Sequence, residues 1–205
     1  MNSQIRELIL TVPAFLLALT IHEYAHGWIA LKRGDTTALE AGRLSLSPLA
    51  HIDPIGTFLF PLLLALSGLP VFGWAKPVPI NFNRLYNPKK DLLWVGLAGP
   101  AANIIFSFCL AVILKLAPAL KVVTLGRFMF HIITINLLLG IFNLIPVPPL
   151  DGSRILTSLL PLRQAIAYMQ LERYGFLLIF ILLWTGIIGK IVFPIVDIIT
   201  YLLLR

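Results

Sequence analysis

The chain has 205 residues, of which 59% are hydrophobic and 12% charged, with a mean hydropathy of +0.93, and this excludes a water-soluble domain. Several windows reach the roughly 18–20 apolar residues that a bilayer span requires, and the length suits one membrane domain of about five or six helices. The net charge of +7 is carried in short loops between apolar runs, so it reads as topology determinants facing lipid headgroups and not as a nucleic-acid surface; the lone Cys109, inside an apolar run, leaves no disulfide framework and no cysteine zinc site.

The first apolar run, Leu8 to Leu31, is too long for a cleavable signal peptide and carries Ile21-His22-Glu23-Tyr24-Ala25-His26. On a helix, two imidazoles four residues apart differ by about 400° of rotation and so share one face. Both can then bind one zinc while the intervening carboxylate reaches a water at the metal. Ionisable groups cost several kcal/mol inside an apolar helix, so a pair of them there points to function.

Lys32 to Asp35 end the run in water. Residues 41–48 alternate like a strand up to Pro48, and His51-Ile52-Asp53-Pro54 reads as a turn. Ile55 to Phe72 is apolar but short, broken by Pro61, Gly68 and Pro70, and fits a short span or a segment that dips in and returns. Gly73 to Asn81 holds two prolines and is predicted extended.

Leu92 to Leu116 is predicted as a span, closed by Pro118 and Lys121, whose small residues at Ala98-Gly99-Pro100-Ala101-Ala102-Asn103 admit a close helix neighbour. Arg127 to Leu144 is the next span. Ile145-Pro146-Val147-Pro148-Pro149-Leu150-Asp151-Gly152 follows as a proline-stiffened strand, then an amphipathic stretch to about Arg173. The apolar run Tyr174–Leu204 is either a helical hairpin or one interrupted helix.

A catalytic zinc needs a third protein ligand that leaves one position open. Of the membrane-proximal carboxylates Asp53, Asp91, Asp151 and Asp197, Asp151 is the best candidate, because the rigid proline segment before it fixes its place; the competing reading is a plain helix cap. His51 and His131 are weaker candidates, since a lone histidine is usually satisfied locally. For Asp151 to reach the depth of His22 and His26, residues 55–72 must re-enter and not cross. Under that topology one face holds ten basic residues (Lys32, Arg33, Arg43, Lys76, Arg84, Lys89, Lys90, Arg154, Arg163, Arg173) and the other only Arg6, Lys115, Lys121 and Arg127. The positive-inside rule makes the richer face cytoplasmic, and the site with it.

These motifs, in this order over residues 10–155, resemble the site-2 protease family of intramembrane zinc metalloproteases. The resemblance implies an all-α polytopic membrane protein in a single domain (1–205). A three-helix catalytic core (about 8–155) would carry short re-entrant or extended strands, with peripheral C-terminal helices (about 156–205). It implies one Zn2+ on His22, His26 and Asp151, with Glu23 as general base, cutting a peptide bond within or near the transmembrane segment of a protein in the cell membrane. Substrates of that kind include an anti-sigma factor, a membrane-tethered transcription factor precursor or a signal-peptide remnant, as in regulated intramembrane proteolysis. Asn143 and Asn103 are the candidate substrate-binding residues; Asn143 is placed to orient the substrate backbone, while Asn103 has a stronger claim as a hydrogen bond between helices. The extended strands would pair with an unwound substrate. Unlike larger members, the chain has no room for a PDZ domain between the core helices. The competing functions are a membrane zinc transporter, which calls for acidic or His pairs spread along several helices, and a catalytically inactive scaffold that binds transmembrane helices.

Overall fold

The computed structural model describes residues 3–69, 73–117 and 123–205. Helix α1 (Ser3–Lys32) is about 45 Å long at 1.5 Å per residue. After α2 (Thr37–Glu40) and a 3₁₀ turn at Pro48–Ala50, a π-helical turn (Pro54–Leu59) leads into α3 (Phe60–Leu66). Then follow α4 (Pro88–Leu116), α5 (Val123–Asn143), α6 (Asp151–Leu159), α7 (Leu162–Met169), α8 (Gly175–Trp184) and α9 (Ile187–Leu204). Among the described residues, five stretches are long and apolar enough to cross a bilayer: 9–32, 88–116, 125–143, 162–184 and 187–204. Their outward faces carry exposed Ile105, Phe108, Phe176, Phe193 and Ile198, as lipid-facing helices must.

Local sequence sets the start of α4. The Asn87 side chain accepts from the Lys90 N–H, Pro88 occupies the first turn, and the Asp91 carboxylate accepts from the Asn87 N–H at 2.7 Å, a reciprocal cap. Helices α1, α4 and α5 pack against one another, α6 lies on α4, and α9 on α5. The main apolar core joins Ala111 and Leu114 of α4 to Ile133 and Leu137 of α5 and to Ile188, Val192 and Val196 of α9. The small residues of α4 do admit a neighbour: a Cβ on Gly140 of α5 would lie 3.0 Å from the Pro100 carbonyl.

The segment after Asp53 doubles back. Its helical part, 54–66, is about 20 Å long and falls short of a roughly 30 Å hydrocarbon core. The chain then returns to where it began, since the Trp74 N–H donates to the Gly56 carbonyl and Thr57 Oγ1 to the Trp74 carbonyl, both at 3.1 Å. The end of this predicted apolar run (Pro70 and Phe72) and the predicted stop at Pro118 and Lys121 lie outside the described residues.

Two strand expectations are corrected and one open alternative is resolved. No strand occurs among the described residues. The alternation at 41–48 serves local contacts instead, with Leu44 lying against Gly27 of α1 and Leu46 exposed. Residues 144–150 are a chain of turns, with the Val147 N–H on the Ile145 carbonyl and the Leu150 N–H on the Val147 carbonyl, because prolines that bar a helix suit turns as well as strands. The 174–204 run is two helices, broken where Gly186 takes the left-handed conformation at φ +72°.

Candidate metal centre

The second half of α1 presents His22 and His26 to α4, while the first turn of α6 brings in Asp151; all three side chains are buried. His22 Nε2 and His26 Nε2 stand 3.0 Å apart, and Asp151 Oδ2 lies 2.9 Å from the first and 3.0 Å from the second. Two close approaches make this possible. A Cβ on Gly99 of α4 would sit 2.4 Å from His26 Nε2, and one on Gly152 would sit 2.3 Å from the Leu144 carbonyl, so only glycine lets α4 and α6 come this near.

Hydrogen bonds fix which imidazole nitrogen carries the proton. His26 Nδ1 faces the Val95 carbonyl at 2.7 Å, which can only accept, so Nδ1 bears the hydrogen. His22 Nδ1 faces Asn103 Oδ1 at 2.6 Å. The Asn103 amide cannot be turned round, because its Nδ2 donates to the Ala18 carbonyl at 2.9 Å and to Asn136 Oδ1 at 2.8 Å; Asn136 in turn is oriented by donating to the Ile132 carbonyl at 2.8 Å. In the neutral imidazoles both Nε2 atoms therefore offer lone pairs, aimed with a carboxylate oxygen at one point. Three buried acceptors with no proton among them repel one another unless a cation lies between, and two imidazoles with one carboxylate are a zinc-type donor set.

The other carboxylates are occupied elsewhere. Asp53 caps the π-helical turn, Asp91 closes the α4 cap and faces Arg33 at 3.4 Å, and Asp197 is exposed on α9. Asp151 is not a plain cap: Leu150 holds the cap position with no side-chain bond, and the second Asp151 oxygen accepts from Arg154 at 3.3 Å. His51 donates to the Ser45 carbonyl, and His131 pairs with Glu7 near the start of α1; neither joins the cluster.

Glu23 is half-buried beside the two histidines on α1. Its Oε2 accepts from the Val78 backbone N–H at 2.8 Å, and its Oε1 takes no hydrogen bond from a described residue. Asn143 is half-buried at the end of α5, where its Nδ2 donates to the Leu139 carbonyl one turn back. Asn103 has no accessible surface and its side-chain polar atoms are engaged, so the structure places it behind His22 as an inter-helix link. The extended segment before Asn81 is also no open edge. Over residues 74–79 the N–H groups of Trp74, Lys76 and Val78 are taken by Gly56, His51 and Glu23, residues 77 and 79 have none, and Ala75 is left.

Asn136 belongs to no motif that would mark it in the sequence as part of the site. Replacing Asn136 with leucine is expected to free the Asn103 amide to rotate and to weaken zinc binding by about 10–100-fold, the usual cost of losing an outer-shell partner. Competition against a chelating dye measures it; unchanged affinity would remove Asn136 from the relay.

Residues 117–186 match the model of peptidase family M50. The chain is 37% identical over 193 residues to the "Putative zinc metalloprotease YwhC" of Bacillus subtilis, covering 91% of this chain and 85% of that one. It is 30% identical over 191 residues to the "Putative zinc metalloprotease Rip2" of Mycolicibacterium smegmatis, covering 92% and 71%. The "Zinc metalloprotease MJ0392" of Methanocaldococcus jannaschii is 26% identical over 179 residues, covering 86% of this chain and 39% of its own. No solved structure matches the chain.

Proposed function

Since the chain belongs to peptidase family M50, the site-2 protease family, and is a zinc metalloprotease carried on membrane-length helices, we propose that it hydrolyses a peptide bond within or near the transmembrane segment of a membrane-anchored protein. The observation that carries this reading is the convergence of three buried lone pairs from His22, His26 and Asp151, with a carboxylate one residue along on the same helix. Those three residues would hold the zinc, which when bound supplies Lewis-acid polarisation of the scissile carbonyl and a water of pKa about 7.

The protein does the rest. Oε1 of Glu23 takes the proton of the attacking water and returns it to the leaving amine, one carboxylate serving as base and then acid. The Val78 N–H holds the other oxygen, so the carboxylate cannot swing away. Asn143, at the end of α5, is assigned to orient the substrate backbone. Because the segment at 74–79 offers a single free donor, an unwound substrate finds little of a ladder there and is held chiefly by other contacts.

The experiment is cleavage by the purified chain in detergent micelles of a quenched fluorescent peptide whose 20-residue apolar segment carries a Gly-Pro break. Hydrolysis should cease on metal chelation and return on adding Zn2+. A chain that holds zinc but leaves this peptide and a panel of single-span membrane proteins intact would defeat the proposal in favour of transport or scaffolding.

The active site is assigned to the cytoplasmic face, on the excess of Lys and Arg at that end of the helices. The cation–π pairs of Lys32 with Trp28 and Arg33 with Trp94 suit a headgroup boundary there. A cysteine at Lys89, in a background with Cys109 changed to serine, should react with an impermeant maleimide only after the cells are opened. Labelling of intact cells would reverse the orientation.

A further inference from the structure

The peptide group between Pro77 and Val78 is gripped at both ends. Its N–H donates to Glu23 Oε2 at 2.8 Å, and its carbonyl accepts from Arg43 Nη2 at 3.3 Å. The same Nη2 also donates to the preceding Lys76 carbonyl at 2.9 Å. Arg43 forms no ion pair among the described residues, so the hydrogen bonds of this guanidinium fall on these two successive carbonyls. From these contacts we infer that Arg43 is a positioning residue for Glu23, acting through the Pro77–Val78 peptide.

The surrounding chain gives this link its rigidity. The Lys76 N–H is tied to the His51 carbonyl at 3.0 Å, which fixes the residue before the gripped peptide. Further on, the Asn81 N–H is tied to buried Asp35 at 2.7 Å. Pro77 and Pro79 lock φ on either side of Val78. The Val78 side chain lies against Gly27, one helical turn beyond Glu23, and Leu44, next to Arg43, lies against the same glycine. Both ends of the chain of contacts are thus seated on the helix that carries the carboxylate.

A cation on the carbonyl and an anion on the N–H polarise a peptide group in the same sense, so each bond strengthens the other. The N–H then holds one carboxylate oxygen and leaves the second to handle the proton. Without Arg43 the peptide is free to tilt, and Glu23 gains freedom that must be frozen out in the transition state.

This rests on the proteolytic reading, and two arms of the experiment separate the failures. The first uses the zinc-loaded full chain in micelles without substrate, following hydrogen exchange at the Val78 amide. The native amide should be protected and should exchange at least 10-fold faster in Arg43→Ala; an unchanged rate overturns the inference whether or not any peptide is cut. The second uses the quenched peptide. Arg43→Ala should lower kcat about 10-fold with KM and zinc content unchanged, and millimolar guanidinium ion should restore part of the loss, a recovery that a merely structural role would not give. Val78→Pro, which deletes the N–H together with the side chain seated on Gly27, should lower kcat at least as much, and the double variant should be no worse than the poorer single one. Independent, multiplying losses, a rise in KM alone, or loss of zinc in Arg43→Ala would each overturn the assignment. A native chain that cuts nothing refutes the proteolytic reading and leaves the exchange arm to decide the link.

Discussion

Asp151→Asn is expected to empty the site of zinc while leaving the helices folded. The three proposed ligands would share a binding free energy on the order of 10–16 kcal/mol, so losing one anionic donor costs about 4 kcal/mol, or roughly a thousandfold in affinity. The amide has a second effect that alanine lacks. Its N–H₂ stands where Asp151 Oδ2 lies 2.9 and 3.0 Å from two imidazole lone pairs, and it can donate to one of them. The metal-free variant should therefore unfold at a temperature equal to or above that of the metal-free native chain, although below that of the zinc-loaded one. Metal analysis by mass spectrometry and thermal unfolding followed by circular dichroism check the two halves. A variant that keeps one zinc per chain would show that Asp151 is not a ligand.

Glu23→Gln is expected to separate binding from turnover. Glutamine keeps an oxygen for the Val78 N–H, so the side chain should stay in place, and no ligand to the metal is altered. What it cannot do is take a proton. General acid–base catalysis is worth about 10²–10⁴-fold, and here one group serves in both directions, so kcat should fall by about a thousandfold or more with zinc content unchanged. In cells, the same variant should cause membrane-anchored fragments to accumulate, and comparing its membrane proteome with that of the native form would reveal the substrates. Retention of full cleavage would mean that another group moves the proton.

Much of this site is legible in the sequence because its chemistry is local. His22, Glu23 and His26 obey helical spacing, and the need to bring Asp151 to their depth forces residues 55–72 to turn back, as the hydrogen-bonded neck at Gly56, Thr57 and Trp74 does. The extent of α1, α4 and α5 follows from the apolar runs and their charged or capped ends. What escapes the sequence is contact between distant backbone groups. Val95 and Ile132 contribute carbonyls and Val78 contributes an N–H, and the identity of a residue says nothing about where its peptide groups point. The strand readings fail for the same reason: proline spacing reports where a helix is barred but not whether a partner strand exists. Asn103 could be read as an inter-helix bond, yet its link to Asn136 depends on the rotation of α5 against α4, which composition does not encode.

The two imidazoles and the carboxylate are separated by 129 and 125 residues along the chain. At about 5–20 residues per second, a ribosome makes the carboxylate on the order of ten seconds after the helix that bears the imidazoles. With His22, His26 and Asp151 as the proposed ligands, the nascent protein has an incomplete site throughout that interval and should leave the newly inserted helices around it uncut. On the proposed ligand set, hydrolysis waits until Asp151 has been made and delivered to the bilayer.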